Sequence, residues 1–176
     1  MVVRATREGT TPAEDPGVAA RTDAEGRFTL DGVTPGSWRV EVEGSGFETL
    51  RRVGVAAPSE GLALTVRAMA TLEGQVVDAH GEPARGATVT LSGSGVWPPR
   101  SFTVFDDGRF RVAELPGGVY ELRASRDDDL AEPVAPLLLD PGESREQRME
   151  LRPGATLWAW CSTRSRRGPS RARVWW

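Results

Sequence analysis

Few side chains in this 176-residue chain are of a kind that does chemistry, and their spacing limits what they can do. There is one His, His80, one Cys, Cys161, and no Lys. A zinc site that activates water needs about three protein ligands. His80, between Asp78 and Gly81, stands alone and reads as a solvated turn residue. A serine nucleophile needs a strained turn and a histidine within reach, whereas Gly93-Ser94-Gly95 lacks the spaced elbow pattern and reads as a flexible loop. Cys161 has no base beside it and, as the sole cysteine, excludes an internal disulfide. Asp127-Asp128-Asp129 offers hard oxygen atoms, but calcium wants about six to eight oxygens around one point. Consecutive carboxylates in an extended segment point in alternating directions, so this run reads as a solvated acidic loop. The expectation is a chain with no catalytic residue, no cofactor and no metal site.

The remaining candidate is aromatic. Trp97, followed by Pro98-Pro99-Arg100, falls between two expected strands, and the alternation there does not send it inward. An exposed indole beside a stiff Pro pair can stack on a sugar ring; the ordinary alternative is that it folds back and caps the core. Trp38 and Tyr120 follow equivalent Pro/Gly turns and are expected inside, in the manner of the tyrosine corner of β-sandwiches.

The elements that would position these residues are legible because the chain repeats itself. Asp23-Ala24-Glu25-Gly26-Arg27-Phe28 returns as Asp106-Asp107-Gly108-Arg109-Phe110, with Gly36 matching Gly118, Trp38 matching Tyr120 and Val40 matching Leu122. A spacing longer than the roughly 20–50 residues of solenoid units denotes whole domains. The second copy defines the module: a first strand over Leu72–Asp78, then alternating strands around Val89 and Leu91, Phe102 and Val104, Phe110 and Val112, and Tyr120, Leu122 and Ala124. The last strand is Gln147–Leu151, and Gly/Pro turns separate the runs. Short strands of period two without helical periodicity predict an all-β chain of two tandem antiparallel prealbumin-like β-sandwiches. In the first copy Met1–Ala5 matches the second strand, so the first is missing and residue 1 reads as a cut through a domain. The missing element reads as an edge strand, whose loss leaves backbone groups unpaired and uncovers part of the core, which predicts local instability or pairing with another chain. The expected units are 1–67, truncated; 68–152, complete; and 153–176, the start of a third copy with an aberrant tail.

Net charge is −3, but residues 158–176 hold five Arg and no acid, which leaves 17 Arg against 25 Asp and Glu elsewhere. An acidic body argues against nucleic acid as a partner. The first residues lack the apolar core of a signal peptide, and no run approaches the roughly 18 apolar residues needed to span a bilayer.

The string from Thr22-Asp23-Ala24-Glu25-Gly26-Arg27-Phe28 to Trp38-Arg39-Val40-Glu41-Val42 and Gly46-Phe47 resembles the carboxypeptidase regulatory-like domain. Gly74-Gln75-Val76-Val77-Asp78 followed by Gly81, Pro83, Gly86-Ala87 and Val89 does so too. The resemblance covers about residues 2–151. It implies a transthyretin-type, carbohydrate-binding-like sandwich occurring as tandem non-catalytic modules in secreted or envelope-anchored bacterial proteins. The function so implied is a spacer or interaction module, with neighbouring domains of a longer polypeptide, a glycan or a surface protein as partners. The alternatives are a carbohydrate-binding module using Trp97 and an accessory domain of a metallocarboxypeptidase; one His excludes a peptidase site within this chain. The Lys-based isopeptide bonds of related adhesin modules cannot form here.

A third copy opens at Gly154-Ala155-Thr156-Leu157 and then loses its pattern. Read one frame over, the codons from Trp158 onward give Gly, Val, Val, Leu, Asp, Ala, in register with Gly74–Ala79, and the end gives a second strand. Residues 158–176 therefore read as an out-of-frame tail, and Trp158, Trp160, Trp175 and Trp176 do not count as a binding stripe. Resequencing the gene should reveal the shift; an unbroken frame shared by homologous genes would show that the tail is genuine.

Overall fold

The computed structural model describes residues 1–11 and 14–155. All of its regular elements are strands: β1 (Val2–Arg7), β2 (Val18–Arg21), β3 (Gly36–Glu43) and β4 (Leu50–Ala57) in the first repeat, and β5 (Ala70–Val77), β6 (Thr88–Gly93), β7 (Val96–Thr103), β8 (Arg109–Leu115), β9 (Gly118–Arg126), β10 (Asp129–Ala131), β11 (Val134–Leu139) and β12 (Ser144–Pro153) in the second. The tail from Trp158 on lies outside the described residues.

The second repeat closes on itself. One face runs β7-β6-β9 with β11 paired to the outer side of β9; the other runs β12-β5-β8, and the three-residue β10 joins β9 to β12. Period two sends Val89 and Leu91, Tyr120 and Leu122, and Leu72 and Val76 between the faces, all at most 2 % exposed. Burying each such side chain contributes roughly 1.5–3 kcal/mol. Pairing is antiparallel except between β5 and β12, which run parallel from Thr71 beside Ser144 to Val77 beside Glu150. Gly74 sits where β12 and the Phe110 ring press closest; a Cβ there would meet the Gln147 carbonyl oxygen and that ring.

The first repeat reproduces one face. Its order β2-β1-β3-β4 matches β7-β6-β9-β11, and Val3, Ala5, Trp38, Val40 and Val42 form its buried core. The opposite face does not form a sheet. Residues 27–33 and 61–67, equivalent to β8 and β12, take part in no strand ladder, and Phe28, Leu30, Leu62, Leu64 and Val66 are only half-buried.

The second repeat supplies the reason, and it corrects one expectation. The module's first strand is not at an edge: β5 lies between β12 and β8 and gives both their backbone partners. With no counterpart among the described residues, two neighbouring segments have no ladder. Phe110 is therefore 7 % exposed while Phe28, its match, is partly wetted.

Amides of residues 28–33 and 61–66 should exchange with solvent faster than those of β8 and β12 under native conditions. Leu72→Ala should cost about 2–5 kcal/mol in denaturant unfolding of the second repeat, and Leu64→Ala clearly less in the first. Equal exchange protection on both repeats would contradict this ordering.

Candidate functional site

The twin aromatics anchor matching corners. The Tyr120 hydroxyl donates to the Pro116 carbonyl at 2.6 Å, and the Trp38 indole N–H donates to the Thr34 carbonyl at 2.9 Å, each reaching back four residues. Both rings are at most 5 % exposed. Burial pushes the Tyr120 phenol above its usual range, the Glu48 charge adds to that, and Arg100 opposes it. These rings hold the core and are not offered to a ligand.

Trp97 is the second residue of β7, the outer strand of its face, and stands 90 % exposed with Pro98, Pro99 and Arg100 exposed beside it. The indole does not fold back over the core. A second exposed ring escaped the sequence reading: Phe105 is 80 % exposed just beyond the other end of β7. The signal was available, because Val104 points inward at 2 % exposure and period two sends its neighbour out.

Phe105 overhangs a groove of about 580 Å³ along β8, lined also by Gln75, Asp106, Asp107, Arg109 and Arg111. The Gln75 amide donates to the Asp107 carbonyl at 3.0 Å, and Arg111 pairs with Glu73 at 3.3 Å. Trp97 and Phe105 are separated by about 26 Å of extended chain at about 3.3 Å per residue. They do not form one platform.

The other chemical residues are dispersed. His80 is solvated, with its side chain 87 % exposed. Asp127 turns the chain at φ 51°, the Asp128 carbonyl accepts from the Gly154 N–H at 3.0 Å, and Asp129 pairs with Arg126 at 3.6 Å, so the three acids serve three purposes. The Ser94 hydroxyl accepts from the Val119 N–H at 3.1 Å, a structural role. Among the described residues no three His, Cys, Asp or Glu are placed to hold a metal ion, and no helix is long and apolar enough to cross a membrane. Cys161 lies outside the described residues.

The junction of the repeats is polar and specific. The Met69 N–H donates to the Gly46 carbonyl at 2.8 Å and the Glu48 N–H to the Arg67 carbonyl at 2.8 Å, which pins the connector to a loop of the first repeat. The Gly117 N–H of the second repeat donates to the Glu48 carboxylate at 3.1 Å.

Residues 1–68 and 71–152 each match the family model of the carboxypeptidase regulatory-like domain. The chain belongs to that family. No curated protein matches it. Among solved structures it is similar to the Bacillus anthracis TIE protein at 16 % identity and a TM-score of 0.44, covering 86 % of this chain and 30 % of that one. It is similar to GBS52, the minor pilin of Streptococcus agalactiae, at 10 % identity and a TM-score of 0.45, covering 92 % and 86 %. A Bacteroides uniformis protein with a provisional carbohydrate-binding assignment aligns at 14 % identity and a TM-score of 0.38 over 48 % of this chain and 41 % of that one. The chain thus spans less than half the length of two of these three structures.

In the carboxypeptidase regulatory-like module the turn after the first strand is organised by one carboxylate. Asp78 Oδ1 accepts the His80 N–H at 2.8 Å and the Glu82 N–H at 3.1 Å, and the His80 N–H bond is the main reason its carboxyl is held below the ordinary value of 3.8. A lowered folded-state value means that this support is present above the ordinary carboxylate range and is lost as pH falls through a point below 3.8. Amide exchange at His80 and Glu82, corrected for intrinsic rates, should rise in that acid window, and Asp78→Asn should remove the pH dependence.

Proposed function

We propose that this chain is a non-catalytic spacer and interaction module of a secreted or cell-surface bacterial multidomain protein. The observation that carries the reading is the junction. The connector Arg67–Ala70 is bonded to Gly46 and Glu48 of the first repeat, and the Gly117 N–H of the second repeat donates to the Glu48 carboxylate. A carboxylate accepting a backbone N–H across the joint resists bending at a cost of about 1–3 kcal/mol for the bond's loss. The product of such a joint is a fixed distance and direction between whatever domains lie on either side. Membership of the carboxypeptidase regulatory-like family supports this reading.

A second reading is favoured by Trp97 alone: an exposed, Pro-flanked indole on an outer strand is suited to stacking on a sugar ring. Phe105 above its polar groove is the other exposed ring that could serve.

Glu48→Ala should leave the unfolding transition of each repeat nearly unchanged while broadening the distribution of inter-repeat orientations, read by residual dipolar couplings or small-angle scattering. Unchanged couplings would remove the support for a stiff joint. Glycan titration of the chain should show binding that disappears with Trp97→Ala. Binding that survives this change but not Phe105→Ala moves the site to the groove, and no binding across a broad glycan panel ends the sugar reading.

A further inference from the structure

The sheet path of the second repeat ends in β7 and β8, and the two end strands share one flank of the sandwich, where the Phe102 and Phe110 rings lie 5.7 Å apart. Among the described residues no strand lies beyond either of them. The two edges are not alike. β7 carries Pro98 and Pro99, which cannot donate to a ladder and so blunt that edge. β8 has no proline and pairs regularly from Arg109 to Val112, before Glu114 turns the backbone at φ 57°.

The register of β8 decides which backbone groups it leaves over. The Val76 N–H donates to the Gly108 carbonyl at 2.8 Å, and Gln75 lies opposite Arg109. Bonded and unbonded pairs alternate along an antiparallel ladder, so Phe110 and Val112 bond inward to β5 while Arg109 and Arg111 turn their backbone outward. The Arg109 N–H is taken by Asp107 Oδ1 at 3.0 Å. That leaves the N–H and C=O of Arg111 and the C=O of Arg109 at the open edge. Both side chains stand on the outer face, that of Arg111 69 % exposed.

These side chains define what a neighbour must carry, because residues directly opposite each other in a ladder attract when their charges differ and repel when they match. An antiparallel strand alongside β8 sets one residue against Arg111, the next over Phe110 and the third against Arg109. The first and third places call for Asp or Glu, and the middle one for an apolar side chain that covers the Phe102 and Phe110 rings. Arg111 already has Glu73 of β5 at 3.3 Å on one side, so an acid across the edge would hold its guanidinium from both. The acids of the adjoining turn are engaged elsewhere, Asp106 with Arg85 at 2.8 Å and Asp107 with the Arg109 N–H. A second copy of β8 is a poor occupant, since pairing about Phe110 sets Arg109 against Arg111 twice. Phe105, 80 % exposed just before β8, offers a ring to the end of the incoming segment.

We propose that the open edge of β8 binds an extended segment of a partner protein in which acidic and apolar residues alternate, added antiparallel as a further strand. This partner chemistry rests on the reading of the chain as an interaction module and involves neither the junction nor Trp97.

A labelled peptide of sequence Ser-Val-Glu-Val-Glu-Val-Ser, titrated with the full chain and followed by fluorescence anisotropy, tests this, with hydrogen exchange as the local readout. Binding should saturate, and the Arg111 amide should gain protection. The first Glu then faces Arg111 and the second faces Arg109. Arg109→Glu should weaken binding about tenfold, and replacing the second Glu of the peptide by Arg should restore it in that variant. Methylating the backbone nitrogen of the first Glu, which leaves the protein untouched and removes the bond to the Arg111 carbonyl, should abolish binding. Trp97→Ala should leave it unchanged, so loss of the glycan reading would not touch this result. No saturation in the millimolar range, equal affinity for the methylated peptide, protection at β7 in place of Arg111, or loss of binding with Trp97→Ala each overturns the proposal. Protection of Arg111 through association of the chain with itself, without peptide, would assign the edge to a second copy and equally overturn it.

Discussion

The structure depends on one strand having neighbours on both sides. β5 pairs with β12 through parallel bonds and with β8 through antiparallel ones, so it satisfies two rows of backbone groups and covers the core beneath them. Gly74 marks how close the approach is, because any larger residue would collide with the backbone of one neighbour and a ring of the next. The first repeat is the matching experiment performed by the sequence itself. It keeps the corner ring, the four-stranded face and the apolar positions, while none of its described residues forms a middle strand. What fails with it is a whole sheet, since buried backbone groups need partners and a strand with nothing alongside has none.

The two ring corners show how far the repeats agree despite this. Trp38 and Tyr120 differ in size and in donor atom, yet each sends its single polar hydrogen to the carbonyl four residues back. A buried donor without such an acceptor would cost its full desolvation, so the corner tolerates a change of ring only while the hydrogen bond is kept. The face β2-β1-β3-β4 is built on that corner and retains its core when the opposite sheet does not form.

Much of this was legible in the residues. The repeated Gly-Arg-Phe string with acidic residues before it and the period-two runs predicted the strand class, the duplication and the inward places of Trp38 and Tyr120. Alternation reports which way a side chain points but not which strand lies beside it. For that reason the central place of the first strand and the parallel pairing of β5 with β12 are invisible in the pattern. Trp97 was legible as an outward ring because its Pro-rich surroundings break the alternation. Phe105 lies just past the end of β7 in the turn toward β8, where only its inward neighbour Val104 marks it as outward. The junction could not be read at all, since Glu48 and Gly117 are 69 residues apart and nothing local announces their bond.

The parallel run of β5 and β12 also settles where a repeat begins and where it leaves off. Two strands that advance together from Thr71 and Ser144 toward Val77 and Glu150 place the start of the domain at one pole and its end at the other. A module of this kind cannot return the polypeptide to its point of origin. Each added copy carries the path forward by about one strand length, on the order of 25 Å at roughly 3.3 Å per residue, and gene duplication is thereby converted into reach.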